Sequence, residues 1–352
     1  MGNNEMRRLI VALAFIVSVP LIRPSAQVQE SAPPTPPDLT VDAPQSFDEW
    51  LTALIDEART RGYGDELVAQ TLQGLQPLER VIQSDRSQAE LNPGFERYLS
   101  TRLTTLMVRR GKEQKAEHRA VLARVEHQFG VQPRFLVAIW GLESRFGRNK
   151  GRVPVFQALA TLAWEPRRAS YFRGELFDAL TMVQRGHIDA KTMTGSWAGA
   201  MGQTQFMPSS YLKYAVDFDG DDRRDIWDST PDALASIASY LKGFGWNDTQ
   251  TWGREVTVTA EVNEAIDTAI PKRTEGCYAM RNMTVRRPLS DWKRLGVRRA
   301  DGGPLPNAAV TAGLVDVGSR KFLVYPNYDA ILAYNCAHYY ALTVALISDR
   351  LQ

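Results

Sequence analysis

Residues 135–147 read FLVAIWGLESRFG and are the most informative stretch of this 352-residue chain. Pro133 lies just upstream and suits the first position of a helix, because its missing N–H would have no partner there. On the resulting helix, Glu143 shares a face with Ile139 and Trp140. The stretch therefore predicts a helix that presents one carboxyl group among apolar side chains.

A carboxyl group in apolar surroundings prefers its neutral form, so its pKa rises. The helical neighbours of Glu143 at the pairing offsets include no cation that could oppose this effect. A carboxyl that is neutral near neutral pH can protonate a leaving oxygen, which is the task of the general acid in glycoside cleavage. The alternative is a boundary glutamate whose head reaches water or an arginine from another segment. This stretch alone leaves both interpretations open.

The composition excludes several functional classes. Lys and Arg number 42 against 40 Asp and Glu, so bulk charge does not indicate a nucleic-acid-binding protein. Two cysteines are too few for a disulfide scaffold or a four-cysteine zinc site, and the four histidines lack the His-x-x-x-His spacing of zinc hydrolases. The Gly-x-Ser-x-Gly, P-loop and Gly-x-Gly-x-x-Gly motifs are missing from the sequence. With 44% hydrophobic residues, the chain can bury a core.

Residues 1–26 have the pattern of an export signal, in which two arginines precede an apolar run over residues 9–22. The run is short for a transmembrane helix. Pro24 makes cleavage after Ala26 unfavourable, so an uncleaved inner-membrane anchor is an alternative. No cysteine lies near this segment, which excludes lipid attachment at an N-terminal cysteine. We therefore expect a periplasmic protein that is not a lipoprotein.

Prolines crowd residues 27–45, which predicts a semi-extended linker. Export also makes a disulfide between Cys277 and Cys336 chemically feasible. Two unpaired, half-buried thiols are the alternative, and the sequence does not decide between them.

The remaining sequence predicts an α+β fold that is mainly helical. Helical periodicity covers four stretches, namely residues 47–55, 95–108, 121–129 and 133–240. Strand-like alternation covers three shorter ones, residues 256–262, 283–285 and 321–325. A closing helix follows Pro326, with Asn327 or Asp329 as its cap. The predicted divisions are an N-terminal helical domain over 46–130, a second helical domain over 131–250, a small β-rich domain over 251–326 and the closing helix over 327–352.

Residues 217–228 read DFDGDDRRDIWD and place carboxylates at loop positions 1, 3, 5, 9 and 12, which is the EF-hand spacing for calcium. The predicted ligands are Asp217, Asp219, Asp221, Asp225 and Asp228, with the backbone carbonyl of Arg223 at position 7. Asp222 replaces the usual glycine at position 6, where an aspartate can adopt the left-handed conformation. Asp228 replaces a longer glutamate. A solvated acidic turn is the alternative to this structural calcium site.

Residues 195–208 read GSWAGAMGQTQFMP and combine small residues, amides and aromatic rings. Small residues let a ligand approach the backbone, and Ser196, Gln203 and Gln205 offer hydrogen bonds to hydroxyl and acetamido groups. Arg167 and Arg168 could meet an acidic ligand, although adjacent surface arginines are more often only solvated.

Five segments occur in the order that a known enzyme family shows: AIWGLESRFGR, ALATLAWEPRRASYF, GSWAGAMGQTQFMPSSYLKYAVDFDGD, IASYLKGFGW and ILAYNCAHYYAL. Over about residues 45–348 the chain thereby resembles the membrane-bound lytic murein transglycosylase B family. The resemblance implies a lysozyme-like helical catalytic core, here residues 131–250, flanked by an α-domain and a small β-domain. It also implies cleavage of the β-1,4 bond between N-acetylmuramic acid and N-acetylglucosamine in peptidoglycan, for cell-wall turnover and remodelling.

The same resemblance implies roles for individual residues. Glu143 stands at the position of the family's single catalytic acid and base. The implied saccharide contacts are Ser196, Gln205, Tyr240, Tyr334 and Asn335. The implied contacts to the glycan or its peptide stem are Arg167, Arg168 and Tyr171. The loop 217–228 matches the family's calcium loop, and no organic cofactor is implied.

With one carboxyl group, the implied reaction consumes no water and yields a 1,6-anhydromuramoyl product. A lysozyme-type hydrolase is one alternative, and it would need a second carboxylate such as Glu165 or Asp178. A calcium-stabilised peptidoglycan-binding scaffold without turnover is the other. We expect a monomer that acts on glycan strands and binds no nucleic acid. Cell-wall synthesis or division proteins are the expected protein partners.

Overall fold

Helices dominate the computed structural model, which describes residues 46–87 and 94–352. The predicted leader (1–26) and the predicted linker (27–45) lie outside the described residues. The helices are α1 Phe47–Thr60, α2 Asp65–Thr71, α3 Glu79–Ser87, α4 Phe95–Ser100, α5 Thr105–Glu117, α6 Arg119–Phe129, α7 Pro133–Ser144, α8 Val155–Trp164, α9 Ala169–Gln184, α10 Pro208–Tyr214, α11 Thr230–Gly243, α12 Ala260–Ala269, α13 Tyr278–Arg281, α14 Leu289–Arg294, α15 Asn327–Tyr334 and α16 His338–Arg350. The strands are β1 Val153–Pro154, β2 Thr194–Gly195, β3 Gly253–Thr257, β4 Arg287–Pro288, β5 Arg298–Arg299, β6 Thr311–Asp316 and β7 Lys321–Val324.

Five of the strands form one antiparallel sheet in the order β4-β6-β7-β3-β5, and β1 pairs separately with β2. In this sheet, β7 lies between its two longest partners, with Val324 opposite both Gly253 and Gly313. The mainly helical α+β class with a small sheet is therefore confirmed, and so is the strand predicted over residues 321–325.

Two of the predicted strands are wrong in extent. The strand predicted over 256–262 stops at Thr257, because Thr259 caps α12 by accepting a 3.3 Å hydrogen bond from the backbone N–H of Val262. The strand predicted over 283–285 is reduced to one isolated bridge. Alternation of β-branched residues indicates a strand, but a threonine at a cap position can start a helix within it.

Helix α7 lies at the centre of the first hydrophobic core. Its residues from Phe135 to Gly141 are all buried, and they pack against α5, α6, α11 and α16. The ring of Phe135 meets Trp246 at 4.7 Å between centroids. Because neighbours surround most of this helix, the position of Glu143 in its last turn is fixed by packing.

The predicted N-terminal domain over 46–130 is divided between two cores. Helices α1 to α3 pack with α8 to α10 in a second core, whereas α4 to α6 join α7 in the first. Gly130 ends α6 in the left-handed conformation, with φ 73°, and the helices on both sides of it share the first core. A third core joins the sheet to α12 and α14.

Two predicted helices are each interrupted. The helix over 95–108 breaks between α4 and α5, because Thr104 caps α5 through a 3.1 Å hydrogen bond from the backbone N–H of Met107. The closing helix over 327–352 breaks between α15 and α16.

The break before α16 contains a disulfide. Cys336 is bonded to Cys277, so the structure selects the disulfide from the two alternatives that the sequence left open. Asn327 does not cap α15, because its side-chain amide instead bonds the backbone of Asn247 and Gln250. Among the described helices, none is long and apolar enough to cross a membrane.

Candidate active site

Glu143 lies in the last turn of α7, where the chain leaves the helix through three successive left-handed residues. Arg145, Phe146 and Gly147 have φ values of 53°, 60° and 74°. The backbone N–H of Gly147 donates to the hydroxyl of Ser144 at 3.0 Å, which closes the turn. A Cβ at Gly147 would lie 2.6 Å from the side-chain oxygen of Gln203, so the turn requires glycine there.

The carboxyl group of Glu143 has one tyrosine as its polar partner. The hydroxyl of Tyr340 donates to Oε1 of Glu143 at 2.5 Å, and no ion pair among the described residues involves this glutamate. Burial raises the pKa of Glu143 to about 7, and the hydrogen bond from Tyr340 acts in the opposite direction. As the sequence analysis expected, no cation pairs with this carboxyl group, and burial outweighs the one hydrogen bond that it accepts.

Glu143 borders a cleft of about 640 Å³ between α5, the preceding loop and the end of α7. The residues that line the cleft are Thr101, Arg102, Thr104, Leu106, Met107, Arg110, Gly141, Leu142, Glu143, Arg145, Phe146 and Asn149. Glu143 is the only carboxylic acid among them. This arrangement offers one acid group to a ligand and no second carboxylate.

The two carboxylates that a hydrolase could use lie elsewhere. Glu165 forms an ion pair with Arg86 at 3.0 Å. Asp178 lies on α9, where burial raises its pKa. Neither residue lines the cleft beside Glu143.

Two further tyrosines, Tyr334 and Tyr98, lie near the carboxyl group. Burial and, secondarily, the charge of Glu143 raise the pKa of Tyr334, which places this predicted saccharide contact near the acid. The hydroxyl of Tyr334 donates to the carbonyl of Thr204 at 2.7 Å, and its ring lies 4.8 Å from that of Tyr240. Burial and, to a smaller extent, the charge of Glu143 also raise the pKa of Tyr98. Tyr240 thus lies against Tyr334, and Tyr334 lies near the acid.

The segment over 195–208 is tied to α7 by Gln203. Its Oε1 accepts a 2.8 Å hydrogen bond from the indole of Trp140. Ser196 accepts two backbone N–H groups within its own turn, so its hydroxyl proton is free for a ligand. Gln205 has φ 52°, and its amide donates to the carbonyl of Gly202 at 2.9 Å.

Arg167 and Arg168 do not stand free for a ligand as the sequence analysis supposed. Both guanidinium groups pair with Asp85, whose side chain is 1% exposed. Burial opposes the ionisation of Asp85, but hydrogen bonds from Arg167 and Arg168 outweigh it and hold its pKa below the ordinary value. Tyr171 is 49% exposed on α9.

The sequence analysis assigned a saccharide contact to Asn335 and no role to Tyr340. Asn335 is exposed at the end of α15, and no described contact joins its side chain to Glu143. Tyr340 was missed, although it is the direct partner of Glu143. Its signal was weak, because Tyr340 lies in a helical run that also reads as ordinary core.

Four carboxylates gather in the acidic loop. Oxygens of Asp217, Asp219, Asp221 and Asp232 lie within 4.8 Å of one another. Four such oxygens suit a hard cation such as Ca²⁺, and they would repel one another without one. Asp222 has φ 66°, as its place in the loop predicted.

Asp232 was not predicted, and two predicted ligands lie outside this group. Asp228 pairs with Lys150 at 2.6 Å, and Asp225 accepts the backbone N–H groups of Trp227 and Asp228. Asp232 lies beyond the twelve-residue loop, in the first turn of α11 that Ser229 caps. The sequence Ser-Thr-Pro-Asp at 229–232 is a helix-start signal that could have suggested it.

Asp232 also organises the loop backbone. Its two oxygens accept N–H groups from Phe218 and Asp225, each at 2.8 Å. The backbone N–H of Arg223, whose carbonyl was the predicted ligand, donates to Oδ1 of Asp221 at 2.9 Å.

The chain is similar to known proteins along most of its length. The family model described as "Transglycosylase SLT domain" matches residues 46–349. Membrane-bound lytic murein transglycosylase B of Escherichia coli (strain K12) is 34% identical over 259 residues, which cover 72% of this chain and 66% of that protein. The chain thus spans just under two thirds of this relative.

Solved structures are similar as well. SltB3 from Pseudomonas aeruginosa, in complex with NAG-anhNAM-pentapeptide or with NAG-NAM-pentapeptide, has a TM-score of 0.78 at 40% identity and covers 87% of this chain and 80% of SltB3. The Escherichia coli lytic transglycosylase Slt35 in complex with calcium has a TM-score of 0.70 at 30% identity and covers 86% of this chain and 92% of Slt35. The lysozyme-like fold that the sequence analysis expected is confirmed.

Proposed function

The chain belongs to the transglycosylase SLT domain family, and from this membership we propose that it is a lytic transglycosylase of peptidoglycan. It cleaves the β-1,4 bond between N-acetylmuramic acid and N-acetylglucosamine and leaves a 1,6-anhydromuramoyl end. The observation that carries this proposal is the single carboxyl group of the cleft, Glu143, whose pKa is raised to about 7 without a second carboxylate nearby.

The first chemical step uses the neutral form of Glu143. Its proton passes to the glycosidic oxygen as the bond from C1 breaks, so the leaving sugar departs as an alcohol. The 2-acetamido group of the muramoyl residue stabilises the positive charge that develops at C1. No protein nucleophile is required in this step.

The second step uses the same residue in its other form. Glu143, now a carboxylate, accepts the proton of the muramoyl C6 hydroxyl while that oxygen bonds to C1. The enzyme returns to its starting state, and no water is consumed. A pKa near 7 suits a group that must both give and take a proton at neutral pH.

The surrounding side chains support these steps. Tyr340 orients the carboxyl group by donating to one oxygen, which leaves the other oxygen for the glycosidic bond. The family resemblance supports sugar contacts by Tyr334, Ser196 and Gln205, of which the Tyr334 hydroxyl and the Gln205 amide also donate to backbone carbonyls of the protein. The complexes of SltB3 with muropeptides support the same class of substrate for this chain.

We also propose that the acidic loop holds a structural Ca²⁺ ion through Asp217, Asp219, Asp221 and Asp232. The gathered carboxylates and the calcium complex of Slt35 support this assignment. The ion would neutralise the loop at the start of α11 and does not take part in the reaction. Export to the periplasm, with the leader either cleaved or kept as an anchor, stays part of the proposal.

Binding and cleavage by the Glu143→Gln variant test the proposal. The variant should co-sediment with peptidoglycan as the wild type does, but it should release no soluble fragments. Retained cleavage would contradict the role of Glu143, and a scaffold without turnover would show no cleavage by either protein.

Two further variants provide the control for hydrolysis. Glu165→Gln and Asp178→Asn should keep nearly full activity, because neither side chain lines the cleft. Loss of activity in either variant would favour the hydrolase, which needs a second carboxylate.

A further inference from the structure

The cleft beside Glu143 carries a positive rim that the proposed reaction does not use. Three arginines line it, Arg102, Arg110 and Arg145, against the single acid Glu143. Arg102 is already engaged, because its guanidinium stacks 3.6 Å above the ring of Tyr98 and donates to the Thr101 hydroxyl at 3.0 Å. The other two need a separate explanation.

Arg110 and Arg145 have no ion-pair partner among the described residues. Arg110 is half-buried, and a guanidinium in that position usually has an anion nearby. The neighbouring Arg109 illustrates the contrast, since it pairs with Glu113 at 3.7 Å.

Arg145 also occupies an unfavourable backbone position. It ends α7 in the left-handed conformation, where glycine is the usual residue. Its side chain is exposed at the cleft and makes no described hydrogen bond that would compensate. A strained backbone conformation that no described contact of the side chain stabilises indicates a functional constraint on this residue.

We propose that Arg110 and Arg145 bind carboxylates of the peptide stem that the glycan strand carries. This inference rests on the proposed function. The sugars of the strand offer neutral hydroxyl and acetamido groups, whereas a peptide stem carries at least its terminal carboxylate. A guanidinium group matches a carboxylate through two parallel hydrogen bonds.

The site differs from the one that the sequence analysis assigned to the stem. Arg167 and Arg168 both bond the buried carboxylate of Asp85, so their donors are partly used within the protein. Arg110 and Arg145 line the cleft itself, and their side chains make no ion pair, hydrogen bond or ring contact among the described residues. Recognition of the stem there would place the peptide beside the acid that cleaves the strand.

Two forms of one substrate test the proposal. The first is purified peptidoglycan with free stem carboxylates, and the second is the same material after amidation of those carboxylates with a carbodiimide and ammonia. Sugars and peptides are then identical, and only the negative charge differs. The full chain is assayed with both, as wild type and as Arg110→Ala and Arg145→Ala.

On the unmodified substrate, Arg110→Ala should raise KM by about tenfold with little change in kcat, as expected for one lost charge-assisted hydrogen-bond pair. On the amidated substrate, the wild type and the variant should have the same KM. Arg110→Lys should recover only part of the affinity, because an ammonium group lacks the two-pronged geometry. Arg109→Ala is the matched control and should behave as the wild type on both.

A loss of the same size on both substrates would overturn the proposal, because the arginine would then contact the glycan or support the fold. Unchanged KM on both would overturn it equally. Co-sedimentation of the same variants with the two substrates measures binding without turnover. Failure of the proposed reaction, in which no anhydromuramoyl ends form, is therefore distinguishable from failure of the stem site.

Discussion

At the scale of single residues, the surroundings of Glu143 determine its pKa. Burial raises its pKa and outweighs the hydrogen bond from the hydroxyl of Tyr340, so the pKa lies at about 7. Activity should therefore fall as pH rises above 7, because the first step needs the protonated acid. Tyr340 acts as a positioning residue that also limits how far this pKa rises.

The Tyr340→Phe variant tests this description. The lost hydrogen bond favoured the charged form of Glu143, so its removal should raise the pKa and move the alkaline limb of kcat/KM to higher pH. We expect kcat at neutral pH to fall by about tenfold, since a hydrogen bond to a charged group is lost. The measurement is the pH profile of fragment release. Tyr339→Phe, on the same helix without a bond to Glu143, should leave the profile in place, and an unmoved limb in Tyr340→Phe would contradict the description.

The same shift makes a prediction about stability. The folded protein keeps the proton of Glu143 up to about pH 7, whereas the unfolded chain releases it near the ordinary value of 4.5. The folded state binds more protons between these values, so the free energy of unfolding falls as pH rises through this window. Glu143→Gln should therefore be more stable than the wild type at pH 8 by up to about 3 kcal/mol, and equally stable at pH 4.

Urea unfolding of the two proteins at pH 4 and pH 8 measures this difference. Glu113→Gln, an exposed glutamate on α5, serves as the control and should show no comparable pH dependence. An equal effect of Glu143→Gln at both pH values would mean that packing, not ionisation, distinguishes it from the wild type.

At the level of elements, the acidic loop and helix α11 form one unit. Asp232 lies in the first turn of α11, yet its oxygens fix the loop backbone and join the carboxylate group. Loop spacing predicts the ligands Asp217, Asp219 and Asp221, because they follow one another on a local turn. It does not reveal Asp232, since that contact depends on how the next helix is docked.

Two matched substitutions in this loop test the ligand set. Asp221→Asn should abolish most of the rise in Tm that Ca²⁺ produces, because Asp221 belongs to the group of four. Asp228→Asn should keep that rise, because Asp228 pairs with Lys150 instead. A ligand present at about 100 times its Kd stabilises by about 2.7 kcal/mol, which thermal unfolding resolves. The reverse result would restore the ligand set that the loop spacing predicted.

The break between α15 and α16 is likewise joined to a distant part of the chain. Cys336 in the break is bonded to Cys277, which is 59 residues away and immediately precedes α13. Replacing both with serine should lower the free energy of unfolding by about 2 to 5 kcal/mol, as is usual when a disulfide that closes a long loop is removed. Thermal unfolding of this variant and of the reduced wild type should agree. An unchanged Tm would mean that packing alone holds the break.

At the scale of the whole molecule, local sequence patterns predicted individual elements better than they predicted how those elements pack together. The lack of a cation partner for Glu143, the left-handed Asp222 and the α+β class follow from short-range sequence and agree with the structure. Periodicity marks which face of a helix is buried but not what it meets, so the division of 46–130 between two cores was missed.

The same limit applies to charges and partners. In the sequence, Arg167 and Arg168 have no evident partner. In the structure, both pair with Asp85, which is 82 residues distant from Arg167. Tyr340 and Glu143 are 197 residues apart, and only the packing of α16 against α7 brings them together. Long-range pairs of this kind determine the chemistry of the cleft.

The mass of the fragments released from purified peptidoglycan tests the central claim most directly. Digestion by residues 27–352 should yield muropeptides that are one water lighter than hydrolysis products, with anhydromuramoyl ends that disappear in the Glu143→Gln variant. Ordinary reducing ends in the wild-type digest would contradict the account, because they would show that water, not the muramoyl C6 hydroxyl, attacks C1.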